Sequence, residues 1–265
     1  MKNDIFYGYC SLLEHVYNRG IIVASRNGLV RQLVGESLKI ELSSKKLQLI
    51  NGRPFYYKGV LGELAALLRK PKHIDDFKKW GCNYWDQFGD KNGNLKLDYG
   101  NAWFVNGSFD RVVRKLRAKQ FTRDLIINNW MTAPEKLTLP CCWFAIQLIQ
   151  VDTDSLDLVW YQRSADLLVG VPSDLLLAQV LLILFANEAG LKPNSVSMMF
   201  GSAHIYEQHI TDDRFYQYLL AEERSDHIYD YRLTDKPFDI YDFRPEYITI
   251  DYKVNKNDFK FECIK

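Results

Sequence analysis

LPCCWFAIQLIQVDTDSLDLVWYQRSADLLVGVPSDLLLAQVLLILFAN, residues 139–187, decides how this chain folds. Phe144 to Val151 and Leu156 to Gln162 are rich in β-branched and aromatic residues, and Val151-Asp152-Thr153-Asp154-Ser155 between them is polar. That pattern predicts two strands joined by a hairpin turn. Leu175 to Asn187 is apolar on nearly every side and interrupted by Gln179, which predicts a helix buried at the centre of a domain. It is too short to span a bilayer, so a sheet packed on a central helix is expected and a membrane is not.

The flanking sequence supports the same class. Asp4 to Asn18 places Ile5, Leu12, Leu13 and Val16 on one side of a first helix, which Asn18-Arg19-Gly20 stops. Leu38 to Leu42 alternates like a strand, and Leu125 to Trp130 is a further strand candidate. Lys58 to Arg69 predicts a helix with Glu63 near its middle and Pro71 after its end, and Phe109 to Lys119 predicts another. Strands and helices are mixed without regular alternation, and no GxGxxG or Walker loop occurs. The class is therefore α+β, not a doubly wound nucleotide fold. No repeat, low-complexity run or linker divides the chain, so residues 1–265 are expected to form one domain.

Composition narrows the function. With 265 residues, 47% of them hydrophobic, the chain buries a sizeable core, and a net charge of +1 gives no basic excess for holding duplex nucleic acid. A single nucleotide remains within reach, because a few arginines suffice for one phosphate. Met1-Lys2-Asn3-Asp4 carries no signal-peptide pattern, so the cytoplasm is expected. The five cysteines, Cys10, Cys82, Cys141, Cys142 and Cys263, form no CxxC pair and have no histidine at ligand spacing. Free thiols and no metal site are expected. Within the opening stretch, Cys141-Cys142, Arg163-Ser164, Asp166 and Asp174 bring together a thiol, a fixed cation and carboxyl groups, a set that can address one small anionic heterocycle.

Larger motifs then fall into an order. Arg26-Asn27-Gly28, Gly62-Glu63-Leu64, Tyr84-Trp85-Asp86, Asp98-Tyr99-Gly100 with Trp103, and Arg123 precede Cys142. Tyr161-Gln162-Arg163-Ser164-Ala165-Asp166, Gly170-Val171-Pro172, Ala203-His204-Ile205-Tyr206 and Asp242-Phe243-Arg244-Pro245 follow it. In order and spacing, over almost the whole chain, they resemble the thymidylate synthase superfamily. The resemblance implies that superfamily's fold, with a mixed sheet at a homodimer interface packed on a buried central helix. It also implies a pyrimidine nucleoside monophosphate as substrate and 5,10-methylenetetrahydrofolate as cosubstrate.

Roles follow from the resemblance residue by residue. Cys142, five residues before Gln147, matches the nucleophile, and Cys141 stands where the family often has proline. Glu63 matches the carboxylate that manages protons and ordered water, and Tyr99 joins the catalytic groups. Arg26, Arg163 and Ser164 match the phosphate site, with Arg123 reaching in from the second subunit. The family often has two arginines there, whereas this chain has Arg123-Asp124. Gln162 is placed with the substrate-binding residues, His204 and Tyr206 at the sugar hydroxyl, and Trp85, Asp166 and Gly170 at the pterin.

Departures from the family pattern bear on the reaction. Asp174 stands where the synthases carry the asparagine that reads uracil. A carboxyl group can accept from the cytosine amino group and donate to N3 if a proton is shared between them. Asp174, Trp143 after the nucleophile and Gly201-Ser202 all resemble the phage deoxycytidylate hydroxymethylases. The tail Phe259 to Lys265 lacks the small apolar terminus of the synthases, and Ser173 replaces an aromatic at the folate. The leading expectation is therefore dCMP hydroxymethylation. Alternatives are a CMP hydroxymethylase of the nucleoside-antibiotic type, a dCMP or dUMP methylase, and a catalytically lapsed homologue that binds nucleotide or RNA as a regulatory module. Each residue also has a purely structural reading: Cys142 as a small buried hydrophobe, Arg123 and Arg163 as ion-pair residues, and Trp85, Tyr99 and Trp103 as core aromatics. Asp174 can be an N-cap before Leu175, and His204 a helix-start histidine.

Overall fold

The hairpin read at residues 144–162 is the middle of a larger sheet. The computed structural model of the protein describes residues 4–42, 45–50, 55–220, 228–253 and 259–264. Met1 to Asn3, the side chain of Ile5 and Lys265 lie outside the described residues. The strands are β1 (Ile21–Ser25), β2 (Gly28–Glu41), β3 (Lys46–Gln48), β4 (Ile126–Asn128), β5 (Trp143–Gln150), β6 (Ser155–Gln162), β7 (Ala165–Asp166), β8 (Lys192–Tyr206), β9 (Ile228–Leu233) and β10 (Ile248–Ile250). The helices are α1 (Asp4–Arg19), α2 (Tyr57–Leu67), α3 (Ile74–Lys78), α4 (Asn101–Val105), α5 (Ser108–Arg117), α6 (Gly170–Ala189), α7 (Glu207–Ile210) and α8 (Asp213–Leu220).

Among the described residues the main sheet has seven strands in the order β1-β2-β8-β6-β5-β4, with β7 paired to β8. β6 and β7 run parallel to β8, and the other pairs are antiparallel, so the sheet is mixed and the class α+β, as expected. The parallel step from β6 to β8 needs a crossover, and α6 supplies it. One face, with Leu156, Leu158, Trp160, Val196, Met198 and Phe200, is buried. On the other face Phe144, Val159 and Tyr161 are partly covered and Met199 is exposed. A shallow cavity of about 310 Å³ lies there between Gly35, Phe144, Tyr161, Arg163 and Met199.

α6 is the centre of the core, and it is longer than its apolar run suggests. It begins at Gly170, where Asp166 Oδ1 already accepts from the N–H groups of Leu168 and Val169. Pro172 falls in the first turn, where its missing N–H leaves no bond unmade. Asp174 is therefore inside the helix and not its N-cap. The helix ends at Gly190, whose φ of 60° is left-handed, with Leu191 N–H returning to Ala186 O at 2.8 Å. This is the one described helix long and apolar enough to cross a membrane, and its apolar length is buried in the protein's own core. Gln179, its interruption, is fully buried: it accepts from Gln48 N–H (2.8 Å) and donates to Gln48 O (2.7 Å), tying β3 to the helix.

α2 packs beside α6 with an unusually close neighbour. A Cβ on Gly62 would stand 2.2 Å from Trp80 O, so only glycine lets the helix backbone approach the Trp80–Cys82 segment. That approach brings the next residue, Glu63, against the short 3₁₀ segment Tyr84–Phe88. Phe243 of the late Asp242-Phe243-Arg244-Pro245 motif is buried, and its carbonyl accepts from Arg69 Nη1 just beyond α2 at 3.0 Å.

Candidate active site

Cys142 sits where β5 begins and where its pairing with β6 slips. Trp143 faces Gln162 while Ala145 faces Tyr161, which leaves Phe144 as an extra residue and turns the chain at the cysteine. Its backbone is held on both sides: the N–H donates to the Tyr99 hydroxyl, and the carbonyl accepts from Arg163 N–H at 2.8 Å. Cys142 is partly accessible, whereas Cys141 is fully buried with its thiol against Asn129 O. The Arg163 guanidinium donates to Pro140 O (3.0 Å) and Cys141 O (2.9 Å) and lies 5.7 Å from the Trp130 ring centre. Burial pushes the Cys142 thiol up, the Asp174 charge pushes it further, and Arg163 pulls it down. The activation expected from Arg163 is thus present but outweighed by burial.

Glu63 receives two hydrogen bonds, one from the Tyr84 hydroxyl and one from Trp85 Nε1 at 2.8 Å. Burial nonetheless holds its carboxyl above the usual range, with both donors opposing. Trp85 is buried, stacks on Phe77 (4.8 Å, 18°) and meets Tyr99 edge-on at 5.7 Å. Tyr99 also packs at 5.2 Å on Trp143, so one aromatic chain links the Glu63 and Cys142 sides. Trp103 is core: it is fully buried and stacked on Phe109.

Asp174, one and a quarter turns into α6, accepts from Gln162 Nε2 at 2.8 Å. Burial and then the Glu63 charge push its carboxyl up to about 8, with Gln162 opposing and Asp166 adding to the rise. Asp174 is thus neutral at pH 7. Asp166 and His204 are backbone partners across β7 and β8. His204 is therefore a strand residue, not a helix-start histidine; β8 runs on to Tyr206 before α7 begins. Burial lowers its pKa and the Asp166 charge opposes that. Tyr206, two residues on and on the same face, meets the His204 ring at 5.5 Å and lies beside Asn27 and Arg26. The tail closes over this end: Asn27 Nδ2 donates to Ile264 O (3.3 Å), His209 Nε2 meets Glu262 O (2.9 Å), and Phe261 is buried against His209 and Tyr218.

Cys142, Glu63, Tyr99, Gln162, Arg163, Asp166 and Asp174 are thus gathered around the N-terminal end of α6. Ser164 adjoins them, its carbonyl accepting from Gln162 Nε2 at 3.0 Å. Arg123 is elsewhere. It is exposed just before β4, its carbonyl accepting from Gln147 Nε2 at 2.8 Å. The neighbouring Asp124 is held by Lys115 (2.7 Å) and Arg111 (3.7 Å).

A family model described as thymidylate synthase matches residues 7–264. A thymidylate synthase of Brachyspira hyodysenteriae (strain ATCC 49526 / WA1) is 30% identical over 212 residues, covering 76% of this chain and 80% of that protein. The chain belongs to the thymidylate synthase family. Like other thymidylate synthase family members it performs one-carbon transfer to a pyrimidine nucleotide, with methylenetetrahydrofolate as cosubstrate. The residues fit that cosubstrate. Asp166 uses Oδ1 for the backbone and leaves Oδ2 without a protein partner among the described residues, ready for a pterin N–H. Gly170 lies between Asp166 and Asp174: a Cβ there would stand 3.8 Å from Asp174 Oδ2 and 3.9 Å from Asp166 Cβ, in ordinary contact with both. Among the described residues no group of three or more His, Cys, Asp or Glu side chains is arranged to hold a metal ion.

The sequence reading left three participants unassigned. Tyr84 was quoted only as part of a motif, yet its hydroxyl is a donor to Glu63. Asn27 joins the early loop to the tail, and Trp160 Nε1 donates to Gln162 Oε1 at 3.0 Å. Trp160 is fully buried and packs 4.4 Å from Trp143. A tryptophan in an apolar strand gives no sign of where its single N–H points, so only the folded structure reveals that contact.

Proposed function

We propose that this chain, acting as one domain in a cytoplasmic homodimer, hydroxymethylates deoxycytidylate at C5. The Cys142 thiolate adds to C6 of the base, which makes C5 an enamine-like carbon able to take up the one-carbon unit. Methylenetetrahydrofolate supplies that unit, with Trp85, Asp166 and Gly170 lining its site. Loss of the C5 proton, with the carbon–nitrogen bond to the folate breaking and tetrahydrofolate departing, leaves an exocyclic methylene; water adds to it, and the Cys142 sulfur departs as thiolate to regenerate the enzyme. Glu63, the carboxyl held by Tyr84 and Trp85 and raised by burial, carries protons and orders the attacking water. Arg26, Arg163 and Ser164 receive the phosphate, and His204 with Tyr206 the sugar hydroxyl.

The observation that carries the choice of base is Asp174. A neutral carboxyl offers one donor and one acceptor, which complements cytosine N3 and its amino group. Its neutrality also removes a negative charge beside Cys142 and leaves the Arg163 pull on the thiol unopposed from that side. The dimer has separate support. Arg26 lies in the turn between β1 and β2, beside Tyr206 of β8, and Arg123 just before β4 at the edge of the sheet. From β8 to β4 there are three strand spacings of about 4.8 Å, roughly 14 Å. A second subunit bringing its own Arg123 to the phosphate would bridge that separation, and the half-exposed apolar sheet face is the surface that would pair.

A methylase reading has its own observation: the tail is docked through Phe261 and the Asn27–Ile264 bond, and a closed tail that excluded water would favour reduction to methyl. Incubation with methylenetetrahydrofolate and competing dCMP, CMP and dUMP, followed by mass spectrometry, separates the readings. Hydroxymethyl gain on dCMP with tetrahydrofolate released is expected. Methyl gain with dihydrofolate overturns the hydroxymethylase proposal, and gain on dUMP alone overturns the role of Asp174.

A further inference from the structure

The hydrogen bonds behind Asp174 run in one direction only. Trp160 Nε1 is a donor and never an acceptor, so the Gln162 atom 3.0 Å from it must be oxygen. That forces the other end of the amide, Nε2, toward Asp174 Oδ2 (2.8 Å) and Ser164 O (3.0 Å), and both of its hydrogens are thereby used. Trp160 is fully buried and Gln162 nearly so, which leaves no water to exchange these roles. Asp174 Oδ2 is thus fixed as an acceptor. A carboxylic acid accepts best at its carbonyl oxygen, so the proton of a neutral Asp174 resides on Oδ1.

We infer that Trp160 is a specificity-positioning residue: by orienting Gln162 it fixes which oxygen of Asp174 donates and which accepts, and so tunes the choice between cytosine and uracil. The inference deepens the cytosine reading and rests on it. With the polarity fixed, Oδ1–H faces an acceptor, as cytosine N3 is, and the remaining lone pair of Oδ2 faces a donor, as the cytosine amino group is. Uracil presents N3–H and a C4 oxygen, the reverse at both positions. Gln162 itself has no N–H to spare for the nucleotide; its influence passes through Asp174. Loss of the Trp160 donor leaves the Gln162 oxygen unpaired inside the protein and the amide orientation held by the Ser164 carbonyl alone, so the flipped arrangement that turns an oxygen toward Asp174 gains population. In that state the Asp174 proton is drawn to Oδ2, and Oδ1 becomes an acceptor for uracil N3–H.

The test compares kcat/KM for dCMP and dUMP in wild type, Trp160→Phe, Asp174→Asn and the double variant. Trp160→Phe is expected to lower the dCMP-over-dUMP ratio by roughly fivefold, the worth of one neutral hydrogen bond. The same change made in the Asp174→Asn background is expected to leave the ratio as it is. A parallel fall on both nucleotides, an unchanged ratio, or an equal shift in both backgrounds makes Trp160 a packing residue and overturns the inference. If Phe leaves too large a hole beside Trp143, site-specific β-(3-benzothienyl)alanine at position 160 keeps the ring volume and replaces the N–H by sulfur, with the same ratio expected. Failure of the cytosine reading is told apart by Asp174→Asn alone: no shift there removes the reading and the inference together. A shift there without one in Trp160→Phe removes only the inference.

Discussion

Replacing Asp174 with asparagine is expected to stabilise the protein, and to do so more at pH 7 than at pH 5. The folded protein keeps the Asp174 proton up to about pH 8, whereas an aspartate in the unfolded chain releases it near 3.8. As pH rises between those values the unfolded state sheds a proton that the folded state retains. Wild type therefore loses about 1.4 kcal/mol of stability per pH unit from this group. Asparagine has no such titration. The gap between the variants thus widens by about 3 kcal/mol from pH 5 to pH 7. An unfolding entropy of about 2.1 cal/mol/K per residue is roughly 0.55 kcal/mol/K for a chain of this length, so the widening amounts to about 5 °C in Tm. Groups whose carboxyls are held low, such as Asp76 between the Lys72 and His73 amides, are common to both proteins and cancel. Thermal unfolding followed by circular dichroism at pH 5, 6 and 7, at equal protein concentration, reads the difference directly. A Tm gap that stays constant across that range refutes a neutral Asp174, and with it the hydrogen-bonding argument for cytosine.

Three further outcomes are expected. Tyr99→Phe removes the acceptor of the Cys142 N–H and leaves that buried group unpaired, at about 1–3 kcal/mol; steady-state kinetics should show kcat falling about tenfold or more with little change in nucleotide KM. Gly62→Ala drives a methyl into Trp80 O and pushes α2 from the Tyr84–Trp85 segment, so the urea midpoint should drop by the equivalent of about 2 kcal/mol and activity with it. Mixing inactive Cys142→Ala with Arg123→Ala should restore up to about 25% of wild-type activity, since half the dimers are mixed and one site in each is intact. Absence of rescue after verified subunit exchange would show that Arg123 serves its own chain or none.

How much of this was legible beforehand depended on whether a feature is local. The β5–β6 hairpin and the buried helix follow from residue periodicity, and the structure has both within a few residues of the expected limits. The start of α6 was missed because its signal is not in the helix: Asp166 takes the Leu168 and Val169 amides, seven and six residues before the apolar run begins at Leu175. That displacement removes the N-cap reading of Asp174. His204 looked like a helix start because Glu207-Gln208-His209 follows it, but β8 extends through fifteen residues by pairing with both β2 and β6, and no window of its own sequence reports those partners. The balance at Cys142 was likewise hidden. Arg163 was visible in the sequence, while the burial that outweighs it arises only when distant segments meet.

The Gln179–Gln48 contact also governs aim. A helix that is apolar all round has no preferred rotation about its axis, because every face is equally content in the core. One amide that finds its two partners in a single direction removes that freedom. Asp174 is five residues upstream, about 140° around the same cylinder, and turning the helix by one residue would swing its carboxyl through about 100° and away from Gln162. The direction in which the protein reads a base is thus set by a side chain buried on the far side of the helix, touching strand β3 and nothing in the site.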